Sequence, residues 1–100
     1  MENQKEIKLN RAVWPDYDDI SWREKLNKLG LELKFLWDDG ILLSYDSQKY
    51  EPAIIGQDGV DFYDPRTKSL VISYIENFGY IEFILRGEKE PIVRIPILDL

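Results

Sequence analysis

The clearest structural signal in the chain lies in residues 31–45, which read LELKFLWDDGILLSY. Apolar residues occupy every second position on both sides of residues 38–40, a pattern typical of two half-buried strands joined by a tight turn. A two-residue turn would set apolar side chains opposite polar ones, whereas a three-residue turn pairs apolar with apolar. We therefore predict strands at residues 31–37 and 41–45. The predicted pairs are Trp37 with Ile41, Phe35 with Leu43 and Leu33 with Tyr45, with Gly40 in the left-handed bulge position.

A short helix is predicted immediately before this hairpin. Residues 21–24, SWRE, have the spacing of a capping box. Trp22, Leu26 and Leu29 would then form one apolar stripe. Gly30 fits the left-handed position that ends many helices. A helix this short is not stable alone, so we expect it to pack on a sheet.

The remaining periodic segments predict further strands. One precedes the helix, and the others follow the hairpin; they cover residues 6–14, 60–63, 69–75, 80–86 and 92–98. Pro91 and Pro96 predict that the last strand is an edge strand or is only partly paired. We expect one α+β domain over residues 1–100, with the helix on a twisted, mainly antiparallel sheet of about six to seven strands (β-α-β-β-β-β-β-β), open or curled towards a half-barrel.

The composition argues against several kinds of chemistry. The chain has 13 Lys and Arg against 19 Asp and Glu, a formal net charge of −6, and it contains neither Cys nor His. It therefore lacks a thiolate nucleophile, an imidazole base and the usual zinc ligands. Its glycines are isolated, so no phosphate-binding glycine loop is present. We expect no catalytic residues, no cofactor and no metal.

Hydropathy and the charge of the first residues bear on the compartment. No apolar run approaches the roughly 18 residues of a membrane-spanning helix. Residues 1–10 carry too many charges for a secretion signal. We therefore expect a cytoplasmic protein with no contact to a membrane.

The negative charge is concentrated in the middle of the chain. Residues 1–34 and residues 66–100 each hold equal numbers of acidic and basic side chains, whereas residues 35–65 hold one basic side chain, Lys49, against seven acidic ones. Aspartate is common in turns for local reasons, but turn chemistry does not explain the lack of lysine and arginine. The candidate contacts are Asp38, Asp39, Asp58, Asp61 and Asp64, with Tyr17 and Tyr63 as aromatic anchors.

This distribution favours a protein-binding function. An acidic surface repels nucleic acid, but its carboxylates can imitate phosphates in front of a basic protein. The leading hypothesis is an inhibitor (an immunity protein, antitoxin or anti-defence protein) that blocks a basic or nucleic-acid-binding site on a toxin or enzyme.

Two other hypotheses remain open. The chain could be an assembly module that forms a homodimer through its last strand, because that strand is apolar on both faces. Its apolar residues are Ile92, Val93, Ile95, Ile97 and Leu98. Alternatively, it could be a carboxylate enzyme or small-ligand binder, which would require a deep pocket holding an acidic group of raised pKa.

Overall fold

A computed structural model describes residues 4–9, 13–15, 21–36, 40–56, 59–77 and 79–99. Within these ranges the chain forms one helix and nine strands, and every strand pair is antiparallel. The elements are β1 (Gln4–Leu9), β2 (Val13–Pro15), α1 (Ser21–Lys28), β3 (Leu31–Leu36), β4 (Gly40–Asp46), β5 (Glu51–Ile55), β6 (Gly59–Tyr63), β7 (Leu70–Asn77), β8 (Tyr80–Leu85) and β9 (Val93–Asp99). The predicted α+β class and antiparallel pairing are confirmed.

The strands form two sheets where a single sheet was expected. The small sheet has the order β1-β4-β3, and the large sheet has the order β2-β9-β8-β7-β6-β5. The segment predicted as one strand, residues 6–14, contributes β1 to the small sheet and β2 to the large one. β5 lies where no strand was predicted, because residues 53–55 are consecutively apolar and show no alternation. These two differences account for the larger number of strands.

The register of the hairpin formed by β3 and β4 differs from the prediction by two residues. Phe35 pairs with Ile41, and Leu33 pairs with Leu43. A shift of two residues leaves every side chain on its face of the sheet, so the apolar pattern cannot distinguish the two registers. Gly40 has a φ of 110°, a positive value that favours glycine.

One core joins the two sheets. The inward side chains of both sheets and of the helix belong to a single cluster of buried residues. Phe62 on β6 shows the connection most directly, because its ring centroid lies 5.6 Å from that of Tyr45 and 5.5 Å from that of Tyr50. Tyr45 belongs to the small sheet, so the two sheets pack on each other at this point.

The helix packs against β3 and β9. Its predicted apolar stripe is confirmed, since Trp22 and Leu26 are buried and Leu29 packs against the core. The Trp22 ring meets the Phe35 ring edge-to-face at 6.1 Å. The helix is followed by Gly30, whose φ of 78° is the predicted left-handed conformation. In the described part of the chain, no helix is long and apolar enough to cross a membrane.

The last strand is an interior strand, so the prediction of an edge strand was wrong. β9 lies between β8 and β2, but residues 93–96 pair with β8 and residues 97–99 pair with β2. The alternative prediction of partial pairing is therefore confirmed. Val93, Ile95 and Ile97 are buried in the core of the single chain. These three residues form the side of the strand that faces the core, whereas the homodimer hypothesis concerns its other side; Ile92, just before β9, is 36% exposed, and the hypothesis stays a prediction.

Candidate functional site

The outer side of β5, β6 and β7 brings acidic, aromatic and apolar side chains together. β6 points Val60 and Phe62 into the core, so Asp61 and Tyr63 point to the opposite side. We call this surface the β5–β7 face. Its members are Glu51, Ala53, Ile55, Gly59, Asp61, Tyr63, Ser73 and Ile75, which follow from the strand registers.

An apolar row crosses the β5–β7 face beside Asp61. Ile55 pairs with Gly59, which in turn pairs with Ile75. The side chains of Ile55 and Ile75 are 54% and 38% exposed. A side chain at Gly59 would start 3.2 Å from the Ile55 carbonyl oxygen, which is too close for an undisturbed contact. Because Gly59 has no side chain, nothing projects from the sheet between Ile55 and Ile75, and both isoleucines remain accessible to a partner.

The acidic side chains of this region differ in their surroundings. Lys68 Nζ lies 2.8 Å from Glu51 Oε2, and both side chains are more than half exposed. Asp64 serves its own turn, where its Oδ1 accepts hydrogen bonds from the backbone N–H groups of Arg66 (2.8 Å) and Thr67 (3.4 Å). Among the described residues, Asp61 has neither an ion pair nor a hydrogen-bond partner for its side chain. Of these three acidic residues, Asp61 is thus the one whose carboxylate has neither a cation nor a hydrogen-bond donor beside it.

The outer side of the sheet has a different character at β8 and β9. Arg94 Nε lies 3.4 Å from Glu82 Oε2, and the guanidinium carbon lies 3.8 Å from the Tyr80 ring centroid. Asn77 Nδ2 donates to Glu82 Oε1 at 3.3 Å. These groups satisfy one another, so this part of the surface has little charge to offer a partner.

Three of the predicted contact residues lie together, and four lie outside the described residues. Asp61, Tyr63 and Asp64 are at the end of β6 and in the turn that follows it. Tyr17, Asp38, Asp39 and Asp58 fall outside the described residues. The sequence reasoning did not identify Ile55 and Ile75 as site residues. The run of apolar residues at 53–55 was the available signal for Ile55, but its exposure depends on the pairing of β5.

A depression of about 450 Å³ lies beside this region, in the turn after β4. Both signs of charge line it, since Asp46 and Asp64 are accompanied by Lys49 and Arg66. No three acidic side chains of the described residues converge on a point that could hold a metal ion. The depression therefore gives no specific support to the enzyme or ligand-binding hypothesis.

Tyr50 anchors the wall of this depression and provides a pH-dependent prediction. Its hydroxyl donates to the Leu29 carbonyl, and burial raises the pKa of the phenol, with a further contribution from the Asp46 carboxylate. Above about pH 10 the unfolded chain loses this proton while the folded chain retains it, so the free energy of unfolding should fall as the pH rises. Tyr50→Phe should reduce that fall and cost about 1–2 kcal/mol at pH 7, because the Leu29 carbonyl loses its donor.

Urea unfolding at pH 7 and at about pH 10.5 measures both effects. Asp46→Asn is the matched control, since an asparagine can still accept from the Gln48 N–H as Asp46 does at 2.9 Å. It removes only the smaller, electrostatic cause of the pKa shift, so it should change the pH dependence less than Tyr50→Phe. Equal pH dependence in the natural chain and in Tyr50→Phe would contradict the prediction.

A comparison of this chain with protein-family models, curated proteins and solved structures finds no match. The fold alone does not assign a function, because one architecture can support many activities. The physical properties of the β5–β7 face are therefore the basis for assigning one.

Proposed function

We propose that this protein binds a basic protein partner through the β5–β7 face and inhibits it by covering a basic or nucleic-acid-binding site. The observation that carries the proposal is the position of Asp61. Its carboxylate has no counter-charge among the described residues and lies beside the exposed side chains of Ile55 and Ile75. Apolar area with an aromatic residue at its side and a charge available for pairing is the usual composition of a protein interface.

The charge distribution along the chain supports a basic partner. Residues 35–65 account for the whole formal charge of −6, with Lys49 as their one basic residue. A backbone hydrogen bond of the kind made by Asp64 leaves the negative charge in place, so such turns still contribute to the field. An excess of one sign accelerates association with an oppositely charged partner and repels nucleic acid.

An inhibitor is the kind of protein that these features suit best. Carboxylates spaced along a sheet can imitate the phosphates that a nucleic-acid-binding enzyme or toxin recognises, and Tyr63 supplies aromatic contact area. We expect this activity in the cytoplasm, because a chain without cysteine has no disulfide that would require an oxidising compartment. An immunity protein, a protein antitoxin and an anti-defence protein are the kinds of inhibitor that this proposal covers.

The test is a reversal of charge at Asp61. The natural chain should recover a stoichiometric basic partner from host lysate, and more of it at about 50 mM than at about 300 mM salt, because salt screens exposed charges. Asp61→Lys should weaken binding to the purified partner by at least about tenfold at the lower salt concentration. Its thermal unfolding temperature should stay close to that of the natural chain, since Asp61 makes no described contact that stabilises the fold.

Glu88→Lys is the matched control for this experiment. Glu88 is exposed in the turn after β8, so the substitution changes the net charge equally but away from the β5–β7 face. Equal weakening by the two variants would mean that only the overall charge matters. Unchanged binding by Asp61→Lys would remove Asp61 from the interface. The double variant Asp38→Lys and Asp39→Lys extends the comparison to the two predicted contact residues between β3 and β4, which lie outside the described residues.

A further inference from the structure

Among the described strands, β5 has an outer edge with which no strand pairs. It is the terminal strand of the large sheet, and it pairs only with β6 among the described elements. Ile54 lies opposite Val60, and thus on the core side of the strand, yet its side chain is 63% exposed. No described element covers Ile54, so a further strand beside β5 would have apolar surface to pack against.

Pro52 indicates which backbone groups this edge offers. Alternate residues of an antiparallel strand direct their N–H and C=O groups to opposite neighbours. Proline has no N–H to donate to a neighbouring strand. The backbone C=O of Pro52 therefore faces away from β6, towards the free edge. Ile54 is two residues further on and has the same orientation. The free edge therefore presents the N–H and C=O of Ile54 and the C=O of Pro52.

The small sheet does not complete this edge. β1 and β5 belong to different sheets. Lys5 of β1 and Pro52 of β5 line the same cavity of about 170 Å³, together with the aromatic side chains of Tyr45 and Tyr50. The space beside Pro52 is therefore bordered by two tyrosine rings and by the polar side chains of Lys5, Ser47 and Glu51, and no described strand occupies it.

The charges near the edge indicate what kind of strand fits it. Glu51 on β5 is already paired with Lys68, whereas Asp61, on the neighbouring strand and on the same side of the sheet, has no such partner among the described residues. A second copy of this chain carries the same excess of negative charge in residues 35–65, which opposes the association of two such regions. A basic segment would bring opposite charges together. Lysine or arginine on an added strand would lie two strand spacings, roughly 10 Å, from the unpaired carboxylate of Asp61.

We propose that the partner adds an extended basic segment to the free edge of β5 as a further antiparallel or parallel strand of the large sheet. This inference rests on the proposed function, because it assigns the mode by which the same basic partner is held. Backbone hydrogen bonds to Ile54 supply the pairing. Alternation of the segment places its basic side chains on the side of the sheet that carries Asp61, and its apolar side chains on the side of Ile54.

The test uses a synthetic eight-residue peptide of alternating lysine and valine, acetylated and amidated at its ends. Binding of the peptide should slow hydrogen exchange of the Ile54 amide by at least about tenfold, as measured by NMR, because that amide gains an acceptor. Ile54→Pro should weaken peptide binding by about tenfold or more, while its pairing with β6 is retained. Ile54→Val, which keeps the N–H, is the matched control and should bind as the natural chain does.

The outcomes separate this inference from the proposed function. Binding of the peptide without protection of the Ile54 amide, and with equal affinity for Ile54→Pro, would overturn strand addition and leave the acidic face as the binding site. Absence of peptide binding would also overturn strand addition. Sedimentation of a dimer that is lost in Ile54→Pro would assign the edge to a second copy of the chain. The proposed function itself would fail in a different experiment, in which Asp61→Lys and Glu88→Lys bind the native partner equally well.

Discussion

Phe62→Ala should lower the free energy of unfolding by about 3–5 kcal/mol, among the largest losses expected for one substitution in this chain. Phe62 is 0% exposed, and its ring contacts Tyr45 of the small sheet and Tyr50 of the turn after β4. Alanine would remove the buried ring, both aromatic contacts and the filling between the sheets. The neighbouring strands cannot close over such a cavity without distorting their ladders.

Equilibrium unfolding in urea measures this loss. Phe62→Leu should retain much of the stability, because leucine fills part of the space and keeps the apolar surface. Tyr63→Ala is the control at the adjacent position, and it should cost less, since Tyr63 points out of the core and is only half-buried. A loss below about 1.5 kcal/mol for Phe62→Ala would show that the two sheets do not depend on a common core.

Trp22→Ala should also cost about 3–5 kcal/mol. Trp22 is 3% exposed and packs edge-to-face on Phe35, so it attaches the helix to the small sheet. Its Nε1 is buried and has no hydrogen-bond acceptor among the described residues. Trp22→Phe should therefore cost much less, because it removes a buried donor that has no partner while it keeps an aromatic ring.

The helical signal in circular dichroism and the unfolding midpoint together test the role of Trp22. The expected order of stability is the natural chain, then Trp22→Phe, then Trp22→Ala. A small effect of Trp22→Ala would mean that the helix is not held by this side chain. Arg23→Ala is a suitable control at the next position, because Arg23 is exposed and its guanidinium carbon lies 5.0 Å from the centroid of the indole ring.

The elements predicted correctly are those whose sequence period matches their environment. The helix was identified because Trp22, Leu26 and Leu29 repeat at the helical period and all three meet the core. Strand faces were identified for the same reason. The register of the hairpin formed by β3 and β4 was not predicted correctly, because a shift by two residues leaves each side chain on the same face of the sheet. β5 was missed because its apolar residues, Ala53, Ile54 and Ile55, are consecutive and point alternately to both sides of the sheet, so the sequence shows no period of two there.

The candidate site was predictable only in part. Asp61 and Tyr63 stand out in the sequence as acidic and aromatic residues in the region of negative charge. Asp61 lacks an ion-pair partner because of where the neighbouring cations lie, and the sequence alone does not give their positions. Lys68, in the turn between β6 and β7, pairs with Glu51 on β5. Ile55 and Ile75 come together only through Gly59, so their juxtaposition requires the order β5-β6-β7.

The pairing of β2 with β9 has a consequence for the order of folding. Val13 pairs with Asp99, and almost the whole of the described chain separates these two residues in sequence. In contrast, β5, β6, β7 and β8 pair in chain order as consecutive hairpins. Contacts between neighbours in the sequence form faster than contacts that close a long loop. The hairpins that carry the β5–β7 face should therefore assemble early, and the joining of the two ends of the chain should limit the rate. Substitutions in β2 would then slow completion of the core while the surface that meets a partner is already in place.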